Sequence, residues 1–144
     1  MRIVALANNR LGWQVLTWLS AQDDVQIVGL VLHPEAKRRF GQEIADAARV
    51  PSDAVFSGDA LRQPAVLKQI AALGADLALS VLFDHILTGD FLGLFPRGVV
   101  NLHPALLPYN RGQYPNVWSI IEGTPSGTTL HYIDEGIDTG AIIA

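Results

Sequence analysis

The chain of 144 residues predicts an α/β fold, a mostly parallel sheet with helices on both faces, and three observations carry that expectation. Short apolar-rich runs of strand length recur at residues 3–7, 25–32, 77–82 and 98–103. Segments with apolar residues at helical spacing lie between them. The two patterns alternate along the chain, as parallel strands joined by crossover helices require.

The first run, residues 3–7, is continuously apolar and ends in polar Asn8, Asn9 and Arg10, the pattern of a strand buried on both faces. Leu11, Val15, Trp18 and Leu19 then recur at helical spacing and predict a helix packed on the sheet. Residues 25–32 predict the second strand. The alanine-rich stretch 43–49 predicts a second helix that Pro51 helps to end, and Val55 and Phe56 a brief third strand. Over residues 64–73, Val66, Leu67, Ile70 and Leu73 share one face, with Pro64 suited to the first turn and Gly74 just past the end. Residues 77–82 predict the next strand and 90–94 a helical turn. The strand at 98–103 should stop at Pro104, because proline has no N–H for a ladder and biases its predecessor towards extended backbone.

Residues 104–115 carry four prolines or glycines and no periodicity, which predicts an ordered active-site loop. Residues 116–122 predict a short helix with Val117, Trp118 and Ile121 inward, and 128–133 another strand. Residues 140–144 begin one more, and their apolar ending predicts an unfinished strand or an uncovered edge. The expectation is one catalytic domain over residues 1–144, truncated at its C-terminus. No internal repeat or low-complexity segment interrupts it.

Composition narrows the function. A hydrophobic fraction of 49% with 17% charged residues is that of a soluble globular domain. The net charge of −4 leaves no cationic surplus for a phosphodiester backbone and disfavours generic nucleic-acid binding. With no cysteine there is no disulfide framework, thiolate nucleophile or Cys-ligated zinc, which fits a reducing cytoplasm. The opening apolar run is too short for a signal-peptide core, and no later run is long enough to cross a bilayer.

Several chemistries lack their signatures. Only Gly12 follows the first strand, too little for a dinucleotide turn, and no phosphate-binding Gly-Lys loop occurs. His33, His85, His103 and His131 have no metal-ligand spacing, so no metal is expected, and no nucleophile elbow presents a serine. What remains is Asn101, His103 and Asp138. In a strand, residues i and i+2 project from one face about 7 Å apart, so Asn101 and His103 can reach one substrate together. An amide can hold a developing oxyanion, an imidazole can move a proton, and a carboxylate can orient or charge the ring, a combination that suits acyl transfer to an amine. Taken singly, each also reads as ordinary structure: a satisfied strand-end histidine, a turn asparagine, an Asx-turn before Thr139 and Gly140.

Asn101-Leu102-His103-Pro104-Ala105-Leu106-Leu107-Pro108, then Asn110-Arg111-Gly112, then Asp134-Glu135-Gly136-Ile137-Asp138-Thr139-Gly140 together resemble the signature of the folate-dependent formyltransferases. That family includes glycinamide ribonucleotide, methionyl-tRNA and sugar N-formyltransferases and formyltetrahydrofolate hydrolases, on a Rossmann-like domain. The resemblance implies that Asn101, His103 and Asp138 are the catalytic Asn, His and Asp. It also implies that 10-formyltetrahydrofolate is the formyl donor, with no metal. An acceptor amine would attack the formyl carbon, Asn101 and protonated His103 would hold the oxyanion, and Asp138 would keep the ring charged or relay the amine proton.

The same resemblance implies a pterin pocket lined by Leu82, Phe83 and Asp84 and by His131, Tyr132, Ile133, Asp134, Glu135 and Gly136, largely through backbone hydrogen bonds. The loop of Tyr109, Asn110, Arg111, Gly112 and Tyr114 is most similar to that of sugar N-formyltransferases, which implies a nucleotide-linked amino sugar as acceptor. Arg111 would hold a phosphate, Tyr109 or Tyr114 would stack on a ring, and Asn8, Asn9 and Arg10 would face the same carboxyl edge. Transfer to glycinamide ribonucleotide or methionyl-tRNA, hydrolysis, and a non-catalytic folate-binding module stay open. Larger members continue beyond this point with residues that add substrate or homodimer contacts.

Overall fold

The computed structural model describes all 144 residues. Eleven strands and helices follow the alternating order expected: β1 (Arg2–Ala7), α1 (Asn9–Leu19), β2 (Gln26–Leu32), α2 (Gly41–Ala48), β3 (Val55–Ser57), α3 (Pro64–Ala72), β4 (Leu77–Val81), α4 (Gly89–Leu92), β5 (Val99–His103), α5 (Pro115–Glu122) and β6 (Thr129–Tyr132). They form one six-stranded sheet of order β3-β2-β1-β4-β5-β6. Every neighbouring pair is parallel except β5 with β6. The chain runs outward from β1 to β3 and then returns to lay β4 beside β1, so the sheet has a switch point between those two strands.

Strand alternation sends side chains to two cores. On one face Ala5, Ala7, Leu30 and Leu32 meet Leu16 of α1 and Ile44 of α2. On the other, Val4, Leu6, Ala78 and Val99 meet Ile70 of α3 and Phe91 of α4. Cover is uneven: on the α1 side, Ile3, Leu77, Leu79, Val100, Leu102 and Leu130 line an apolar trough bordered by Trp18. No helix is long and apolar enough to cross a membrane.

Three expectations need correction. β4 stops at Val81 because Leu82 turns into the left-handed region (φ 52°), which breaks the ladder one residue early. α5 begins at Pro115, whose missing N–H costs nothing at a first helical position, and it packs through Pro115 and Ser119 only. Val117, Trp118 and Ile121 therefore face out, not in. Residues 140–144 do not start a separate strand but run extended along β6, with backbone bonds from Tyr132 to Ala141 and from Leu130 to Ala144 and a bridge between His131 and Ile142. Gly140 permits this approach, since a Cβ there would run into the Tyr132 carbonyl.

Candidate active site

Asn101 and His103 lie on the carboxyl half of β5, on the face that β1 shares with Val4 and Leu6, since Asn101 pairs with Ser80 and Ser80 with Leu6. Across the antiparallel pair, Asn101 stands opposite His131 of β6, and cross-strand partners share a face. The Asn101 amide donates to His131 Nε2 at 3.2 Å. His131 Nδ1 donates to the Tyr132 carbonyl at 2.8 Å, since a carbonyl only accepts, and this fixes the ring's tautomer.

Asp138 closes the group. Its Oδ2 lies 3.5 Å from His103 Nδ1 and its Oδ1 lies 3.4 Å from His131 Nε2, so one carboxylate bridges two buried imidazoles. Oδ2 also accepts the Gly112 N–H at 2.8 Å, which ties the carboxylate to the loop that follows β5. Gly112 sits at φ 88°, a conformation that suits glycine and aims that N–H. The other nitrogen of His103, Nε2, donates to the Asn110 carbonyl at 3.1 Å. Both nitrogens of His103 thus face acceptors, while His131 Nε2 lies between the Asn101 amide and the Asp138 carboxylate.

The loop holding these groups is anchored by buried hydrogen bonds. Thr129 Oγ1 accepts the Leu107 N–H at 3.0 Å and donates to the Ala105 carbonyl at 2.8 Å. Asn110, itself left-handed at φ 54°, accepts from the Thr124 hydroxyl at 2.6 Å and donates to Glu122 at 3.3 Å. Its carbonyl is therefore held against His103. Arg111 stays exposed and lines a small hollow with Asn110, Trp118 and Glu122, while Tyr109 and Tyr114 are exposed beside it.

The remaining predicted residues are distributed as follows. Leu82, Phe83 and Asp84 follow β4 at the same edge. Ile133 donates its N–H to the Val99 carbonyl, and Asp134 folds the next turn by accepting from Gly136 N–H and the Thr139 hydroxyl. The Thr139 bond holds the exposed Asp134 carboxyl below the usual range. Tyr132, Glu135 and Gly136 are exposed. Asn8 is buried and uses its side chain on backbone, donating to Lys37 and accepting from Arg39, while Asn9 and Arg10 are exposed at the start of α1.

Sequence reasoning placed His131 in a pterin wall and did not foresee its bonds to Asn101 and Asp138. The signal was the strand pattern at residues 128–133, but only the antiparallel register puts His131 opposite Asn101. A second cluster went unseen altogether. His33, just past β2, meets Asp84 and His85, just past β4, with His33 Nε2 2.6 Å from Asp84 Oδ1. Burial pushes the His33 ring below its usual value, outweighing the Asp84 hydrogen bond. Burial pushes the Asp84 carboxyl up, but the His33 hydrogen bond and nearby positive charges more than reverse this and hold it low.

Comparison with known proteins extends this picture. The model of the formyl transferase family matches residues 1–144. The methionyl-tRNA formyltransferase of Roseiflexus sp. (strain RS-1) is 33% identical over all of this chain and 46% of its own length. Among solved structures, a 4-N formyltransferase from Francisella tularensis superposes with a TM-score of 0.74 at 28% identity, over 99% of this chain and 54% of that one. A phosphoribosylglycinamide formyltransferase from Anaplasma phagocytophilum gives a TM-score of 0.81 at 24% identity, over 99% of this chain and 69% of that one. The chain spans less than half the length of the curated relatives it matches.

Proposed function

Because the chain belongs to the formyl transferase family, we propose that it transfers a formyl group from 10-formyltetrahydrofolate to an amine, with Asn101, His103 and Asp138 as the reacting site. The convergence of the three groups, Asn101 joined to Asp138 through His131 and His103 facing Asp138 directly, is the observation that supports this reading. The donor set fits: two hydrogen-bond donors suit an oxygen gaining charge, and one carboxylate suits a proton in transit. The set holds no serine or cysteine nucleophile, and in this reading the amine attacks directly.

When bound, 10-formyltetrahydrofolate supplies an activated formyl carbon. The amine nitrogen bonds to that carbon, and the bond from the carbon to the folate nitrogen breaks as the carbonyl reforms. Asn101 and His103 donate to the oxygen that is negative in between. His103 Nε2 now serves the neutral Asn110 carbonyl, and an oxyanion, as a charged acceptor, forms the stronger bond. Asp138 orients both imidazoles and takes the proton the amine sheds, which then passes to the departing folate nitrogen. Such donors are worth roughly 3 kcal/mol each when water is excluded.

For the acceptor we favour a nucleotide-linked amino sugar in a cytoplasmic setting. The loop around Arg111 resembles that of sugar N-formyltransferases, Arg111 is free to meet a phosphate, and the net charge of −4 does not suit tRNA. The identity to methionyl-tRNA formyltransferases supports a second reading, in which the amine belongs to methionyl-tRNA. The pterin is proposed to lie against residues 82–84 and 131–136, and residues 1–144 to form a catalytic domain. A transfer assay with amino-sugar nucleotides, glycinamide ribonucleotide and methionyl-tRNA tests this. Formylation of an amino-sugar nucleotide is the expected result. Formyl-methionyl-tRNA alone would favour the second reading, and formate release without any amine would identify a hydrolase.

A further inference from the structure

We propose that His33, Asp84 and His85 form a binding site for a divalent transition-metal ion, with zinc the best match to two imidazoles and one carboxylate. One ligand atom from each lies within 4.8 Å of the others. Asp84 Oδ1 is the pivot, 2.6 Å from His33 Nε2 and 3.9 Å from His85 Nε2. The cluster lies at the carboxyl ends of β2 and β4 and shares no residue with the Asn101–His103–Asp138 site.

The bonding without an ion is frustrated. His33 Nε2 faces the Asp84 carboxylate at 2.6 Å and the Asp84 backbone N–H at 3.3 Å. A proton on Nε2 serves the carboxylate but confronts the amide, and a lone pair serves the amide but confronts an anion. Two further nitrogens, His33 Nδ1 and His85 Nε2, are buried without a hydrogen-bond partner. Buried polar atoms left this way are rare and mark strain, catalysis, or an ordered water or ion. A cation held by His33 Nε2, Asp84 Oδ1 and His85 Nε2 removes the lone-pair conflict and gives His85 Nε2 its partner.

Ligand type and surroundings agree with zinc. Neutral imidazole and carboxylate are its ordinary ligands, and three protein ligands leave one position of a tetrahedron open. Neighbouring ligand atoms in such a site are about 3.3 Å apart, so His33 and Asp84 must part slightly and His85 must close on both of them. His85 and Asp84 sit on a loop, which allows this. Phe83 packs its ring 4.6 Å from His33 and 5.1 Å from His85 and supplies an apolar wall. Lys37 approaches the other Asp84 oxygen at 3.9 Å from an exposed position and leaves Oδ1 to the ion. Ligation uses the Asp84 side chain, so the backbone of residues 82–84 remains for other contacts.

Calorimetric titration of the chelator-treated chain with Zn2+, paired with the visible spectrum on adding Co2+, tests the site. One equivalent should bind with micromolar or tighter affinity, and Co2+ should show ligand-field bands. His85→Ala and Asp84→Asn should each weaken binding by roughly 100-fold or more, since each removes a ligand. His103→Asn should leave it unchanged. Absence of saturable binding, binding that survives both loop substitutions, or binding lost in His103→Asn would overturn the proposal.

Discussion

Two imidazole–carboxylate clusters stand on the carboxyl edge of one sheet, and their bonding is completed to different degrees. Around Asp138 the carboxylate is mostly buried, with 15% of its side chain exposed, and receives a backbone N–H while bridging two rings whose four nitrogens all have a polar partner. Around Asp84 the carboxylate is 46% exposed and two ring nitrogens have no partner. A polar network completed by the protein holds its members in one geometry, which is what an oxyanion site requires. A network left incomplete waits for an outside atom. We propose that the same three functional groups serve orientation in one place and ligation in the other.

Substitutions sharpen the contrast. The largest effect is expected at Asp138→Asn, which keeps the shape but gives both rings a neutral partner. Transfer should fall by about 10³-fold or more, read as kcat, with donor KM little changed. Asn101→Ala removes one donor and should cost about 10²-fold in kcat. Thr129→Val leaves the Leu107 N–H and the Ala105 carbonyl buried without partners. Denaturant unfolding should show a loss of about 2 kcal/mol.

The smallest effect concerns pH at the other cluster. The folded His33 ring binds protons more weakly than the unfolded one, so the unfolded chain takes up more protons on acidification and stability falls. That stability is present above the ordinary histidine value of about 6.5 and is lost as pH drops below it. Asp84, also held low, adds a loss of the same sign at more acidic pH. His33→Gln should flatten the decline in Tm between about pH 7 and 5. An unchanged slope would remove His33 from the acid response.

The difference between the clusters also explains what could be read from residues alone. Asn101 and His103 are two apart in a strand that Pro104 ends, so local geometry places them together, and the alternation of apolar runs was enough for the layered sheet. Asp138 needed a family resemblance, because the turn that returns it to β5 leaves no periodic trace. His131 needed the antiparallel register of β6. His33 and Asp84 are 51 residues apart and meet only because β1 alone separates β2 from β4 in the sheet. No sequence spacing encodes that. The outward face of α5 was misjudged for a related reason: its apolar residues suggested a core, but only Pro115 and Ser119 meet one.

The central claim is that His103 and Asp138 act as one unit on a bound formyl group. The most direct test is a kinetic cycle of His103→Asn, Asp138→Asn and the double variant, with binding of a folate analogue measured on each. The account predicts single losses of roughly 10²–10³-fold or more in kcat, a double variant hardly slower than the worse single, and analogue affinity within a few-fold of the original. Losses that multiply, near-normal turnover in either single variant, or analogue binding that falls in step with kcat would contradict it.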